Sequence, residues 1–149
     1  MTKQEYRKDI NAPAETVYKT MLGLDSIETY EKWSAEFNPT STYKGKWQKG
    51  AKIYFLGTNE NGTQGGMASE IVDLILFQFV SIRHYAVLDG EQEITKGEEV
   101  EKWAGGLENY SFSENDGVTT VTVETDVPVD YLDYFNESWP KALSKLKEI

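Results

Sequence analysis

The hydrophobic period of this chain changes twice, and those changes limit the possible folds more than any other property does. From Ser41 to Thr125, residues of high β-propensity alternate with turn-forming pairs such as Asn61-Gly62 and Asp116-Gly117, which is typical of antiparallel strands joined by hairpins. Apolar residues then recur every three or four positions, which predicts an amphipathic C-terminal helix. Its stripe consists of Tyr131, Phe135, Trp139, Ala142, Leu143, Leu146 and Ile149. Such a helix must bury this stripe against the sheet that precedes it.

The turn signals divide the middle of the chain into six predicted strands, which follow an opening strand that ends at Ile10. Their predicted ranges are Ser41–Lys46, Lys52–Gly57, Gly66–Leu74, Phe77–Leu88, Leu107–Ser113 and Val118–Thr125. An acidic segment from Asp89 to Gly106, which contains Glu91 and Glu93 among other glutamates, interrupts the series. We expect an exposed loop there, in which one helical turn could form.

Two short helices are predicted between the first and second strands. Asn11 or Ala12 would cap the first helix, Pro13 would occupy its first turn, and Gly23 would end it. Asp25 would cap the second helix.

Pro140 lies inside the predicted C-terminal helix. It has no N–H to donate to the carbonyl of Asn136, so we expect a kink or a break there. The predicted fold class is α+β, in which a curved antiparallel sheet of six to seven strands wraps around a long C-terminal helix. Two short helices after the first strand would close one end.

Composition excludes several classes of protein. The 149 residues suit a single domain over 1–149 with a core of its own. The absence of cysteine rules out disulfide scaffolds and cysteine nucleophiles, and the lone His84 leaves no two-histidine metal site. We therefore predict neither a metal nor a cofactor. A net charge of −10 argues against nucleic acid as a partner, because phosphate backbones are bound by clustered Lys and Arg.

The sequence also predicts no membrane association and no export. Its longest uninterrupted apolar run, Leu74-Ile75-Leu76-Phe77, is far shorter than the roughly 20 residues that span a bilayer. The opening residues Met1 to Tyr6 include charged side chains and no apolar stretch, so we expect no secretory signal and a cytoplasmic location.

Several segments together resemble the START-like, helix-grip (SRPBCC) superfamily. The run from Asn11 to Tyr18 is similar to its AP-x-x-x-V-(W/Y) opening. The runs Lys44–Gly50 and Gly66–Ile71 are similar to the G-x-W and G-x-x-x-E-I blocks of one branch. That branch resembles the C-terminal domain of the activator of the heat-shock-protein-90 ATPase. The likeness implies a helix-grip fold and, from the branch, a chaperone protein as partner and a role in the stress response.

A sheet curved around a helix tends to leave a cavity, and aromatic residues make up 13% of this chain. A cavity lined by aromatic side chains with few polar groups suits an apolar or amphipathic small molecule. The predicted ligand-binding residues are Trp33, Tyr54, Met67, His84, Glu108, Tyr110, Tyr131 and Phe135. Trp103 is expected at the rim of the same opening, and Trp139 is expected in the core.

His84 and Glu108 carry the chemistry open to such a cavity. His84 is expected on one strand face with Ile82 and Ala86. It would either orient a ligand and exchange a proton, or bond to a neighbouring strand or to water. Glu108 is expected on an inward face beside Tyr110, as a polar anchor or a general base. Its alternative is a strand-end glutamate that reaches solvent.

These residues, together with the resemblance, lead to three candidate functions, of which the third is what the resemblance implies. The first, which we favour, is binding of an apolar or amphipathic small molecule. The second is a cyclase-like or hydrolase-like enzyme that uses Glu108 or His84 as general acid–base. The third is a co-chaperone-like interaction with another protein. The sequence has no G-x-S-x-G, H-E-x-x-H or phosphate-binding glycine loop, which favours binding over catalysis.

Overall fold

A computed structural model describes residues 1–90 and 92–149 of the chain. Within this part, eight strands form one antiparallel sheet: β1 Thr2–Ile10, β2 Thr42–Gly45, β3 Lys52–Thr58, β4 Gln64–Ile75, β5 Phe79–Asp89, β6 Gln92–Ile94, β7 Leu107–Asn115 and β8 Val118–Val127. The helices are α1 Ala14–Leu22, α2 Ile27–Ser34, α3 Glu98–Trp103 and α4 Leu132–Glu148. A short 3₁₀ turn, Val129–Tyr131, leads into α4.

The strands lie in the order β1-β8-β7-β5-β4-β3-β2, and β6 pairs with the end of β5. This arrangement confirms the predicted α+β fold class. The sheet has one strand more than predicted, because Gln92–Ile94 pairs with Val87–Asp89 instead of lying in a loop. The same acidic segment also forms α3. Glu91, which we assigned to that loop, lies outside the described residues.

The C-terminal helix buries its apolar stripe as the spacing predicts. Trp139, Leu143 and Leu146 are buried in the main core, where Trp139 stacks on Tyr6 at 6.2 Å between ring centroids. Burial of such large apolar side chains stabilises the fold by about 1.5–3 kcal/mol each. Ile149 at the end of the stripe remains 42% exposed.

At Pro140, where we expected a kink or a break, the helix is not broken, and α4 continues from Leu132 to Glu148. Pro140 and Asn136 both lie on the exposed side of this helix. Water can therefore bond to the carbonyl that proline leaves without an N–H partner.

The N-terminal helices begin differently from the sequence prediction. Helix α1 starts at Ala14, whose backbone N–H donates to Glu114 Oε1 of β7 at 2.7 Å. Neither Asn11 nor Ala12 caps it, because Pro13, which we placed in the first turn, occupies the N-cap position. Gly23 ends α1 with φ 68°, as predicted.

Helix α2 starts one residue later than predicted. Ser26 occupies its N-cap position, the place that we assigned to Asp25.

The hairpin turns confirm one prediction and correct two. Asp116 and Gly117 both have positive φ (51° and 81°), as a tight two-residue hairpin requires. In the Asn61-Gly62 pair only Gly62 has positive φ, because five residues rather than two connect β3 and β4. Phe77, the predicted start of β5, has φ 64° and lies in the turn before that strand.

Candidate functional site

A cavity of about 380 Å³ lies between the inner face of the sheet and helices α2 and α4. Helix α2 contributes Tyr30 and Trp33, and α4 contributes Phe135 and Trp139. Strands β3, β4, β5 and β7 form the opposite wall, and α3 adds Trp103. Ten of the 21 residues that line the cavity are Phe, Trp or Tyr, so the cavity offers a large apolar surface to a bound molecule.

Close contact between strands β3 and β4 shapes one wall of the cavity. Gly66 has φ 145°, and a Cβ atom at this position would lie 1.8 Å from the carbonyl oxygen of Phe55. Only glycine fits such an approach. Phe55 and Met67 pair across the two strands and both line the cavity.

One of the two register shifts between β4 and β5 decides which side chains of β5 face inward. Ser69 pairs with His84, whereas Ala68 pairs with Ala86, so Tyr85 is an extra residue on β5. Such a bulge interrupts the alternation of the strand. His84 lines the cavity, while Ala86 packs with Ala68 in a separate cluster. Our prediction that His84 and Ala86 share a face is therefore wrong.

A chain of polar side chains lies at the sheet wall of the cavity. Ser69 Oγ is 2.6 Å from His84 Nδ1, and His84 Nε2 is 3.3 Å from Glu108 Oε1. The Tyr110 hydroxyl donates to Glu108 Oε2. With its proton on Nε2, the neutral imidazole donates to Glu108 and accepts from Ser69. His84 therefore bonds to a neighbouring strand and faces the cavity at the same time.

Burial keeps the Tyr110 hydroxyl protonated, so that it can donate a hydrogen bond. The side chain is 1% exposed. Burial, followed by the negative charge of Glu108, raises the pKa of Tyr110 well above 10.0. The same two causes, in the same order, raise the pKa of Tyr30. Both hydroxyls therefore stay protonated at neutral pH, and Tyr110 remains a donor to the Glu108 carboxylate.

Helix α3 closes the cavity on the side of α4. The Trp103 ring packs on Tyr131 and Phe135, with centroids at 5.0 and 5.9 Å. Lys102 Nζ lies 3.2 Å from Asp130 Oδ2, just before α4. Exposed ion pairs contribute about 0–1 kcal/mol, so the aromatic contact is the stronger attachment of α3.

The structure brings seven of the eight predicted binding residues together around this cavity. They are Trp33, Met67, His84, Glu108, Tyr110, Tyr131 and Phe135. Trp33 also has a structural role, because its Nε1 donates to the carbonyl of Met21 at 2.8 Å and its ring stacks on Trp139 at 5.6 Å.

Tyr54 does not lie in the cavity, which corrects our prediction. Ile53 and Phe55 belong to the main core, so alternation turns Tyr54 to the other face of β3. There it packs against the separate cluster that contains Ala68 and Ala86, and its hydroxyl donates to Glu93. Phe55, one residue along, takes the predicted position in the cavity wall.

Sequence reasoning missed other residues of the wall. Asn38 and Asn59 lie in loops that reach the cavity mouth, and no periodic pattern identifies loop residues. Phe37 and Tyr134 form an aromatic pair there, with centroids at 6.1 Å. Tyr134 lies on α4, four positions before Ser138. It is not part of the predicted apolar stripe of that helix, so the helical period did not identify it.

Within 1–90 and 92–149, no group of three or more His, Cys, Asp and Glu side chains is placed to hold a metal ion. No helix in that part of the chain has the length and apolar character needed to cross a membrane.

Comparisons with known proteins show the fold. No protein-family model matches the sequence, and no curated protein matches it significantly. Among solved structures, the chain is similar to the Aha1 dimer from Colwellia psychrerythraea, with 22% identity over 99% of this chain and 95% of that chain and a TM-score of 0.69.

Two further structures show the same likeness. Protein Ms6760 from Mycobacterium smegmatis is 15% identical over 98% of this chain and 88% of that chain, with a TM-score of 0.70. Protein NE0264 from Nitrosomonas europaea is 13% identical over 98% of this chain and 92% of that chain, with a TM-score of 0.71. The chain has a START-like helix-grip fold, as the sequence resemblance implied.

Proposed function

We propose that the protein binds an apolar or amphipathic small molecule in the cavity between the sheet and α4. The observation that carries this proposal is an aromatic wall with one polar cluster, formed by His84, Glu108 and Tyr110. Apolar surface supplies affinity, and a few fixed polar groups supply orientation. The cavity volume of about 380 Å³ lies within the range of ligand-binding pockets, roughly 300–1,000 Å³.

The polar cluster supports an amphipathic ligand in particular. Glu108 accepts one hydrogen bond on each carboxylate oxygen, and each such oxygen has capacity for a second. A ligand hydroxyl or N–H at this end of the cavity would use that capacity. The rest of the ligand would contact Trp33, Phe55 and Phe135.

Fluorescence titration with N-phenyl-1-naphthylamine tests the proposal. This uncharged aromatic probe brightens when it leaves water for an apolar site. We expect saturable binding to the wild-type chain, and a loss of at least about tenfold in affinity in Met67→Trp, because the larger side chain fills space in the cavity.

Ser113→Trp is the matched control, since it adds the same side chain at an exposed position of β7. Thermal unfolding of each variant shows whether the fold is kept. Absence of saturable binding to the wild type would rule out a cavity open to apolar molecules. Equal binding by the wild type and a folded Met67→Trp variant would place the probe elsewhere.

Acid–base catalysis in the same cavity is the second candidate function. A base needs a hydrogen-bonded partner that orients it, and His84 has Ser69 on one nitrogen and Glu108 near the other. Hydrolysis of 4-nitrophenyl butyrate tests a hydrolase-like activity. A rate above buffer that is lost in His84→Gln supports it, whereas a wild-type rate equal to buffer counts against it.

A chaperone partner is the third candidate, supported by the likeness to a protein named Aha1. Its test is a pull-down with heat-shock protein 90, followed by an ATPase assay with purified components. Binding together with stimulation supports a co-chaperone-like role in the stress response, and an unchanged ATPase rate contradicts it. A cytoplasmic location belongs to the same proposal and is checked by cell fractionation.

A further inference from the structure

We infer that the cavity selects uncharged aromatic molecules with a hydrogen-bond donor and rejects anions of the same shape, such as carboxylates and sulfonates. This inference rests on the proposed binding function and specifies the class of ligand. It follows from the charges that surround the cavity.

The described part of the cavity wall contains no side chain with a permanent positive charge that could pair with an anion. Within the described residues, no lysine or arginine lines it, and Glu108 is the only carboxylate that does. Moving an anion from water into an apolar cavity is costly unless a cation pairs with it. His84 is the one titratable nitrogen in the wall, and its two ring nitrogens already face Ser69 and Glu108.

Three cations are direct sequence neighbours of cavity residues. Lys32, beside Trp33, is exposed to solvent, and the other two pair with carboxylates. Arg83 precedes His84 but pairs with Glu70, with Nη2 3.5 Å from Oε2. Lys102 precedes Trp103 and lies 3.3 Å from Glu99 Oε1 and 3.2 Å from Asp130 Oδ2. To reach an anion in the cavity, either side chain would have to leave its carboxylate.

The N-terminus of α4 does not make the cavity favourable for anions. A helix N-terminus attracts anions through its unpaired N–H groups, and α4 begins beside Tyr131 at the cavity. Asp130 and Asp133 place two carboxylates at that end of the helix. They already supply the negative charge that the helix end favours, and the net charge of −10 repels anions further.

A matched pair of probes tests the inference. N-phenyl-1-naphthylamine carries an uncharged N–H, and 1-anilinonaphthalene-8-sulfonate has the same carbon skeleton with a sulfonate. We expect the sulfonate to bind at least about tenfold more weakly to the wild type, because its charge meets Glu108 without a cation. Displacement of the uncharged probe by the sulfonate measures binding in the cavity itself.

Two variants should shift this preference. Glu108→Gln removes the carboxylate and should narrow the ratio of the two affinities at least about threefold. Ser41→Lys adds a cation at the cavity wall and should narrow it in the same direction, even if Glu108→Gln fails to fold. Asp116→Asn, in the exposed turn between β7 and β8, is the control and should leave the ratio unchanged.

The possible outcomes distinguish a failure of the charge selection from a failure of the proposed binding function. If the uncharged probe binds in the cavity and the sulfonate binds as tightly, the charge selection is overturned while the binding function stands. If Ser41→Lys folds and leaves the ratio unchanged, the selection does not arise from the missing cation and is overturned as well. If the uncharged probe does not bind at all, the proposed function fails and the inference fails with it.

Discussion

Ser69 determines how His84 is held. The hydroxyl is fully buried and lies 2.6 Å from Nδ1 of the imidazole, so the ring has a partner on the side away from Glu108. An imidazole nitrogen that is buried without a partner loses its bond to water and gains nothing in return. One small side chain thus sets the orientation of the one histidine in the chain.

We therefore predict that Ser69→Ala destabilises the fold by about 1–3 kcal/mol, the cost of leaving a buried polar atom unsatisfied. The free energy of unfolding in urea measures this change. Ser113→Ala, an exposed serine on β7, is the control and should change stability by about 0.5 kcal/mol or less. Equal stability of the two variants would mean that His84 does not depend on Ser69.

At the scale of elements, α1 depends on a strand one hundred residues away in sequence. Its first N–H groups have no side-chain cap from the residues before the helix. Glu114 of β7 supplies a carboxylate oxygen to the N–H of Ala14 instead. A negative charge at this position also interacts favourably with the helix dipole. The contact joins the helical end of the molecule to the sheet.

Removing this carboxylate should weaken the attachment of α1. We predict that Glu114→Ala lowers the free energy of unfolding by about 1 kcal/mol, the usual cost of losing an N-cap acceptor. Glu114→Gln keeps an acceptor oxygen and should lose less. Glu60→Ala, in an exposed loop, controls for the loss of a charge. If Glu114→Ala matched that control, the bond to Ala14 would contribute nothing to stability.

At the scale of the whole molecule, the buried tyrosines couple stability to alkaline pH. Burial raises the pKa of Tyr30 and Tyr110 above 10.0. The unfolded chain releases these protons near pH 10.0, whereas the folded chain keeps them to higher pH. The unfolded state is therefore favoured increasingly once the pH rises above that value, and the stabilising contribution is complete below it.

We predict that the chain unfolds cooperatively above pH 10, and that its buried tyrosines ionise only as it unfolds. Near-ultraviolet absorbance follows tyrosinate formation, and circular dichroism follows the fold. The same titration in guanidinium chloride gives the reference for exposed tyrosines. If all nine tyrosines ionised together near pH 10 with the dichroism unchanged, the predicted coupling would be wrong.

The sequence predicted the fold better than it predicted the site. Fold class follows from repeated patterns, since the strand alternation and the helical stripe each involve many residues, and one wrong assignment changes little. A site residue depends on a single position. Tyr54 was assigned to the cavity and Phe55 was not, yet a shift of one residue reverses the face of a strand. Seven of the eight predicted residues do line the cavity.

By itself, the sequence determined the order of the helices and strands other than β6 and α3, the apolar face of α4 and the negative charge of the chain. These properties are local or additive, so period and composition report them directly. Only the tertiary structure decided that a bulge at Tyr85 separates His84 from Ala86, that Glu114 caps α1, and that no cation of the described chain lines the cavity. Each of these depends on contacts between residues far apart in sequence, where pairing register and packing, not local preference, determine the neighbours.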